Sequence, residues 1–365
     1  MNVEVLKNKA YFSMLKTSML GLFMLLIPLT AYGQTKSLEI FKSWDKNGDG
    51  VLVISEIPVN LRRLFSTNDR NKDGKITISE HIIAMTRDAP VERPRTQVDE
   101  FRIRQEWEQE SGGWARRVLI RKPLVVEKQL PVVIFLHGNG GQAENAINHL
   151  NYLKDVIFVC PQGYRRSWNV FGEASAAPDV AFIQEIIEYL RTRERDADMD
   201  NITIIGSSNG SGLIHRLLIE IDRKPFDKAI CLVASMIEKQ YHHGSFWISS
   251  EEGKNLYDQE KRPTRGAKVV YFHGTADRVV PYYGGKRGNV AHISAQETAY
   301  GFAKAFGHTG PAIPDRAGKV VMPGIFEYDY SDANYTHYKL AGEEHGIGRY
   351  RAFVDRTIRR MVFDE

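Results

Sequence analysis

The stretch that decides the fold of this 365-residue chain is Ile202-Thr203-Ile204-Ile205-Gly206-Ser207-Ser208-Asn209-Gly210. Its first four residues are apolar or β-branched and predict a buried strand, and apolar residues at helical spacing follow from Gly212. A strand that enters a helix through a G-x-S-x-G turn is typical of enzymes that expose a nucleophilic serine, because small flanking residues let the two backbones approach closely. Ser208 is therefore the predicted nucleophile, and an ordinary Gly/Ser turn is the alternative.

A second predicted strand, over residues 131–136, ends in the turn His137-Gly138-Asn139-Gly140-Gly141. Acyl transfer passes through an oxyanion that backbone N–H groups must hold, and a glycine-rich turn presents such groups without obstruction. We predict that the two donors are the N–H groups of Asn209 and Asn139.

Two later segments supply a candidate acid and a candidate base. Asp277 falls just past the carboxyl end of a predicted strand over residues 267–272, and His345 lies in a polar segment over residues 341–346. The order Ser208, Asp277, His345 is the one expected when such a triad is built on an α/β sheet. His345 would take the proton from Ser208, and Asp277 would orient the imidazole and stabilise its charged form.

Seven short segments spread over about residues 115 to 350 carry a resemblance. They are HGNGG, Pro161-Gln162-Gly163, Ser167-Trp168-Asn169, Asp179-Val180-Ala181-Phe182, GSSNG, HGTADRVVPY and GEEHG. Together they resemble secreted esterases of the polyhydroxybutyrate depolymerase/feruloyl esterase type. The resemblance implies an α/β-hydrolase fold that cleaves a carboxylic ester, carried by a polysaccharide or part of a polyester, without an organic cofactor. Strands that alternate with helical runs from about Val98 onward also favour a mostly parallel sheet with helices on both faces.

The segment over residues 236–266 has the character of an insertion. Its aromatic and histidine residues are Tyr241, His242, His243, Phe246 and Trp247. They could line a substrate cleft as a lid or wall, or they could anchor the loop to the core, and the sequence favours neither. His242 and His243 make a poor metal site because no further ligand lies at a useful spacing.

Two twelve-residue segments near the amino terminus repeat the pattern of a calcium-binding EF-hand loop. Ca²⁺ takes roughly six to eight oxygen ligands, which such a loop supplies from positions 1, 3, 5, 7 and 12, with glycine at position 6 for the sharp turn. The predicted ligands are Asp45, Asn47, Asp49, Val51 and Glu56 in the first loop and Asp69, Asn71, Asp73, Lys75 and Glu80 in the second. The side chains at position 7, on Val51 and Lys75, are irrelevant because this position contributes its backbone carbonyl. The pattern predicts two structural Ca²⁺ sites and gives no indication of regulation.

Residues 1–33 have the features of a secretory signal: a lysine-bearing start, an apolar core too short to span a bilayer, and small residues before Gln34. This predicts a secreted or periplasmic protein with no membrane attachment after cleavage. The remaining chain divides into a predicted all-α EF-hand pair (34–88), a proline-rich linker (89–97) and an α/β-hydrolase domain (98–365).

Charge and cysteine usage exclude several protein classes. The formal charge is +4, and the predicted signal contributes +2 of it, from three lysines and one glutamate. A nearly neutral mature chain gives no electrostatic case for nucleic-acid binding. Cys160 and Cys231 lie in predicted strands that two others should separate, about 14 Å apart, which is too far for a disulfide. We expect two buried free thiols, and the sequence predicts no oligomeric state.

The sequence as a whole predicts a secreted serine carboxylic-ester hydrolase with an N-terminal calcium module. One alternative is a serine peptidase on the same scaffold. Another is a calcium-dependent binding protein whose hydrolase domain is inactive. The presence of all three triad residues argues against the second alternative.

Overall fold

The computed structural model describes residues 38–69, 71–88, 96–224, 226–251 and 253–365. The chain divides into two compact units, Met1–Arg93 and Pro94–Glu365. The predicted signal peptide and residues 89–95 of the predicted linker lie outside the described residues. Within the described ranges every helix is too short or too polar to cross a membrane.

The N-terminal unit consists of short helices around two loops. Its elements are α1 (residues 38–44), β1 (Val51–Leu52), a 3-10 helix (Val59–Leu64), α2 (Phe65–Asn68), β2 (Ile76–Thr77) and α3 (Ile78–Asp88). β1 and β2 pair in an antiparallel manner with Leu52 opposite Ile76, and both side chains are buried with Phe41 and Ile57. The prediction of an all-α module did not include this pair, which forms because two extended loop segments can satisfy each other's backbone N–H and C=O groups.

The second unit is built on one large sheet. The strands of the unit are β3 (Thr96–Trp107), β4 (Glu110–Pro123), β5 (Leu130–Leu136), β6 (Ile157–Pro161), β7 (Ala197–Ser207), β8 (Lys228–Leu232), β9 (Tyr241–His242), β10 (Ser245–Ile248), β11 (Gln259–Glu260), β12 (Lys268–Gly274), β13 (Gly285–Arg287), β14 (Val290–His292), β15 (Lys319–Met322), β16 (Ile325–Tyr330) and β17 (Tyr335–Leu340). Its helices of four or more residues are α4 (Ala143–Ala146), α5 (Asp179–Arg193), α6 (Asn209–Glu220), α7 (Ala295–Phe306) and α8 (Arg351–Phe363). The first strand begins at Thr96, so the last two residues of the predicted linker belong to the sheet.

The large sheet has the strand order β15-β16-β17-β12-β8-β7-β5-β6-β4-β3. The six central strands, from β17 to β6, run parallel, and the two outer strands on each side pair in an antiparallel manner. This is the mostly parallel sheet of the predicted α/β-hydrolase fold. The carboxyl ends of the central strands meet at one edge, where α/β proteins build their sites.

Successive side chains of the central strands enter two different cores. Ile204 packs with α5, α6 and α7 on one face, whereas its neighbour Ile205 packs with α4 and α8 on the other. Strands buried on both faces read as continuous apolar runs, which is why the sequence pattern around Ile202–Ile205 was so clear. Cys160 on β6 and Cys231 on β8 are buried and free, and β5 and β7 separate their strands, as predicted.

Candidate active site and candidate calcium loops

The turn between β7 and α6 holds Ser208 in a conformation that side-chain-bearing residues rarely adopt, with φ 51° and ψ −117°. Such a backbone costs about 1–3 kcal/mol and persists only where the surroundings impose it. The flanking glycines allow the close packing that imposes it. A Cβ added to Gly206 would lie 2.5 Å from the carbonyl carbon of Gly210, and one added to Gly210 would lie 2.3 Å from the carbonyl oxygen of Leu136.

The structure brings the three predicted triad residues together although they lie far apart in the chain. Oγ of Ser208 is 2.8 Å from Nε2 of His345, and Nδ1 of His345 is 2.7 Å from Oδ2 of Asp277. The second contact is to an acceptor-only carboxylate, so Nδ1 carries the proton and Nε2 of the neutral ring can accept the serine proton. This arrangement has the geometry of a nucleophile, a base and an orienting acid.

The Asp277 carboxylate is buried and fully hydrogen-bonded. Oδ1 accepts from the backbone N–H groups of Val279 and Val280 at 2.8 and 2.9 Å, while Oδ2 faces His345 and, at 3.2 Å, Nε2 of His273. Burial favours the protonated acid. The hydrogen bonds from the two histidines and from the Val280 N–H outweigh burial and hold the pKa of Asp277 well below its usual range. The acid therefore stays ionised across the neutral pH range.

The predicted oxyanion turn lies directly beside the nucleophile. A Cβ added to Gly138 would be 3.5 Å from Cβ of Ser208. Among the described residues, no acceptor is found for the backbone N–H of Asn139 or for that of Asn209. An oxyanion site requires backbone N–H groups without an acceptor close to the serine.

Two side chains, those of His137 and Trp168, hold this turn in place. Nδ1 of His137 is 2.8 Å from the Gly138 carbonyl oxygen, and Nε2 of His137 accepts from the Gly163 N–H at 3.1 Å. The indole N–H of Trp168 donates to the His137 carbonyl oxygen at 2.8 Å. Burial lowers the pKa of His137, which favours the neutral ring that this pattern needs. The HGNGG and Ser167-Trp168-Asn169 segments were the available sequence signal.

The side chain of Asn209 has a structural task that the sequence did not reveal. Its Oδ1 accepts from the Trp168 N–H at 2.7 Å, and its Nδ2 donates to the Trp168 carbonyl oxygen and to Glu173. Glu173 in turn accepts from the N–H groups of Val170 and Phe171. The residue after the nucleophile is thereby fixed to the loop that leads into α5.

A cleft of about 570 Å³ lies beside these groups. Gly138, Asn139 and Ser207 line one side of it, and Ile347 and Arg351 line another, so it is flanked by the oxyanion turn and by the segment that follows His345. Ser208 and His345 themselves are not part of its lining. Its polar lining is rich in amide side chains, namely Asn139, Gln142, Asn145 and Asn148.

The insertion over residues 236–266 forms a small sheet of β9, β10 and β11. Tyr241 and Phe246 are buried and pack in the main core, with the Phe246 ring 5.1 Å from that of Phe302. For these two residues the anchoring interpretation is correct. His242 stacks on Trp247 with ring centroids 4.8 Å apart, and within the described chain neither His242 nor His243 belongs to a metal-binding cluster.

The first candidate calcium loop is organised by bonds from its own backbone to its own acidic side chains. Asp45 accepts from the N–H groups of Gly48 and Gly50 at 2.9 and 3.0 Å, and Asp49 accepts from the Val51 N–H at 3.0 Å. Glu56, at the last position of the loop, reaches back to the N–H groups of Lys46 and Val53. The oxygens are thus gathered around one loop, and among the described residues no Lys, Arg or His side chain forms a salt bridge with Asp45, Asp49 or Glu56.

The second loop repeats this arrangement with the same residue types. Asp69 accepts from the N–H groups of Asp73 and Gly74, Asp73 accepts from that of Lys75, and Glu80 accepts from those of Asn71 and Thr77. This donor set of carboxylate, amide and carbonyl oxygens fits a hard cation such as Ca²⁺. When His, Cys, Asp and Glu alone are considered, the described residues contain no cluster of three or more placed to hold a metal ion. A site here therefore depends on the amide and backbone oxygens as well.

No family model and no curated protein matches this sequence. Among solved structures, the chain is similar to an acetyl xylan esterase from Aspergillus awamori, with 12% identity and a TM-score of 0.49 over 72% of this chain and 98% of that one. It is similar to fungal esterases from Rhizomucor miehei, with 16% identity and a TM-score of 0.42 over 73% of this chain and 84% of that one. An S-formylglutathione hydrolase from Agrobacterium tumefaciens has 13% identity and a TM-score of 0.43 over 73% and 94%. At identities and TM-scores this low, a common activity does not follow.

Proposed function

We propose that this protein is a secreted serine carboxylic-ester hydrolase. The observation that carries the proposal is the continuous relay from Oγ of Ser208 through His345 to the ionised Asp277, beside the N–H groups of Asn139 and Asn209, which have no acceptor in the described part of the chain. Of the three residues of this relay, only Ser208 has a strained backbone conformation. Such strain is concentrated at functional positions in proteins. The same geometry argues against an inactive domain.

The groups of the site account for each step of ester hydrolysis. Oγ of Ser208 forms a bond to the ester carbonyl carbon while its proton passes to Nε2 of His345. The N–H groups of Asn139 and Asn209 hold the resulting oxyanion. His345 then gives the proton to the departing alkoxide, the ester C–O bond breaks, and an alcohol leaves.

The second half of the reaction repeats these roles with water. His345 takes a proton from a water molecule, whose oxygen attacks the acyl carbon attached to Ser208. The collapse of the second oxyanion breaks the bond to Oγ and returns the proton to Ser208, which releases a carboxylic acid. No organic cofactor takes part.

Hydrolysis of 4-nitrophenyl acetate by the purified protein tests this proposal. We expect turnover that Ser208→Ala abolishes, while a matched 4-nitroanilide is cleaved far more slowly. Faster cleavage of the anilide would favour the peptidase, and no turnover of either would favour a binding protein. Feruloylated and acetylated polysaccharides and a polyester, offered to the active protein, then identify the natural class of ester.

We also propose that each N-terminal loop binds one Ca²⁺ as a structural ion. The ligands would be those predicted from the sequence, and their loop-internal bonds already gather the oxygens. The ion would neutralise carboxylates that otherwise repel one another within each loop. Calorimetric titration of the metal-free protein should give two sites, and a Glu56→Gln, Glu80→Gln double variant should lose both.

A further inference from the structure

One buried group that touches the candidate acid has no task in the steps above. His273 is the second-last residue of β12, and its side chain is fully buried. Its Nε2 lies 2.9 Å from the carbonyl oxygen of Val280 and 3.2 Å from Oδ2 of Asp277, the same oxygen that His345 contacts. On its other side, Nδ1 lies 2.5 Å from the hydroxyl of Tyr271.

These contacts determine which nitrogen of His273 carries the proton. Both groups at Nε2 are acceptors without a proton of their own, so Nε2 must donate. In the neutral ring Nδ1 then presents a lone pair, and the Tyr271 hydroxyl donates to it. Burial raises the pKa of Tyr271 well above its ordinary value, so this hydroxyl keeps its proton.

We propose that His273 is a positioning residue for the acid of the triad, acting through Oδ2 of Asp277, and that Tyr271 fixes the tautomer it needs. The proposal rests on the proposed function of Ser208 and His345. With His273 in place, Asp277 accepts from two backbone N–H groups on Oδ1 and from two imidazole N–H groups on Oδ2, and the His273 N–H is shared with the nearer Val280 carbonyl oxygen. The carboxylate can then neither rotate nor take up a proton without losing a bond, which keeps Oδ2 in line with His345.

Other buried ionisable groups surround His273 but do not take over this role. Burial lowers the pKa values of His215, His292 and His337, and charge on His273 lowers them further. His337 bonds to the Tyr271 carbonyl oxygen and to the Tyr282 hydroxyl, and it makes no bond to Asp277. His337 is therefore a matched control, because it is a buried histidine on the adjacent strand β17 that does not contact Asp277.

The test compares His273→Leu, His273→Gln and Tyr271→Phe with the control His337→Leu, all in the full chain, with 4-nitrophenyl acetate as substrate. Loss of a hydrogen bond to a charged group predicts that His273→Leu lowers kcat by about 10- to 100-fold, with KM nearly unchanged because the substrate is not touched. His273→Gln, whose amide N–H can reach the same oxygen, should recover most of that loss. Tyr271→Phe should lower kcat by a few-fold.

A double-mutant cycle separates positioning from a general loss of structure. In an Asp277→Asn background, His273→Leu should cause little further loss of kcat, because the group it acts through is already changed. An equal loss of kcat in His273→Leu and His337→Leu, or an undiminished loss in the Asp277→Asn background, would overturn the proposal.

A proton resonance provides a readout that does not need turnover. The low-field proton between His345 and Asp277 should be observed in the wild type and in His337→Leu, and should broaden or shift in His273→Leu and Tyr271→Phe. An unchanged resonance in whichever of the latter two variants folds contradicts the proposal. A wild type that shows this resonance and cleaves no ester would instead contradict the proposed function.

Discussion

Carboxylates are held in opposite ways in the two units of this molecule. Asp277 is buried, and two of its four donors come from side chains, one of them 68 residues away in the chain. Asp45 is half-buried and Asp49 is exposed, and both accept from N–H groups at most five residues away. A carboxylate held by distant donors depends on the whole fold and is fixed in one charge state. Carboxylates held by their own loop can reach their arrangement before the rest of the chain folds, and they remain accessible to a cation.

This contrast predicts different consequences of substitution in the two units. Changes near Asp277 should remove activity and leave the stability of the small unit unchanged. Changes in the loops should affect the N-terminal unit and leave ester hydrolysis unchanged.

The largest effect should come from Ser208→Ala, which removes the nucleophile at the end of the relay. We expect a loss of kcat of about a millionfold, the scale typical of deleting a triad member. The melting temperature should not fall, because replacing Ser208 by alanine leaves the packing of the core unchanged. Ser207→Ala, at the last residue of β7, is the matched control and should stay within about tenfold of the wild type. Retention of activity by Ser208→Ala would mean that another residue is the nucleophile.

Asp277→Asn should lower kcat by about ten-thousandfold, because the amide favours the wrong tautomer of His345. Asp332 is one of the carboxylates that lie between Asp277 and His345 in the chain, and it serves as the comparison. The structure places Asp332 against Nδ1 of His308 at 2.9 Å, so Asp332→Asn should leave kcat unchanged. A harmless Asp277→Asn together with a damaging Asp332→Asn would reverse this assignment. Steady-state kinetics on one soluble ester measures both.

Buried histidines of the second unit should make it sensitive to acid. Burial lowers the pKa of His215 and His337 to about 3 and that of His292 to about 4. In the unfolded chain each binds a proton below about pH 6.5, so the unfolded state gains protons that the folded state refuses. The stability that these neutral histidines contribute is fully present above about pH 6.5. As the pH drops towards 4, each histidine lowers the free energy of unfolding by about 1.4 kcal/mol per pH unit.

Thermal melts between pH 7.5 and pH 4.5 measure this slope. His215→Leu should flatten it at little cost to stability at pH 7.5, because within the described chain neither ring nitrogen of His215 has a hydrogen-bond partner. His243→Gln, at an exposed histidine of the insertion, should leave the slope as it is. A melting temperature that does not depend on pH over this range would contradict the account.

The smallest effect on catalysis should come from calcium. Chelation, or the Glu56→Gln, Glu80→Gln double variant, should lower the melting temperature of the N-terminal unit and speed proteolysis in the predicted linker. Carboxylates left without the ion repel one another, which is the physical reason for this loosening. Turnover of a small ester should change less than about twofold, as should that of a fragment beginning at Pro94, where the second unit starts. A large loss of kcat in the full-length double variant would show that the loops help to build the active site.

The sequence predicted the elements that depend on local pattern. The strand-turn-helix around Ser208 was recognisable because only glycine fits at Gly206 and Gly210 and because a strand buried on both faces is continuously apolar. The separation of Cys160 from Cys231 followed from strand order alone. The start of β3 was missed by two residues, since an edge strand is amphipathic and polar residues such as Thr96 resemble a linker.

The support around the triad could not be predicted in the same way. His137, His273 and the side chain of Asn209 act through partners 26, 4 and 41 residues away, and a sequence pattern does not specify which buried atoms face one another. The anchoring of Tyr241 and Phe246 was likewise undecided until the fold placed Phe302 beside them. Local conformation was encoded locally, whereas the choice of hydrogen-bond partners required the tertiary structure.

The most direct test of the central claim is covalent labelling of the nucleophile. The full chain is incubated with a fluorophosphonate, which transfers its phosphonyl group to an activated serine oxygen as fluoride leaves, and the modified peptide is located by mass spectrometry. We expect one modified residue, Ser208, with labelling that is strongly slowed in Asp277→Asn and parallels the loss of ester hydrolysis. Full ester hydrolysis after exhaustive labelling, or modification of a different serine with Ser208 intact, would contradict it.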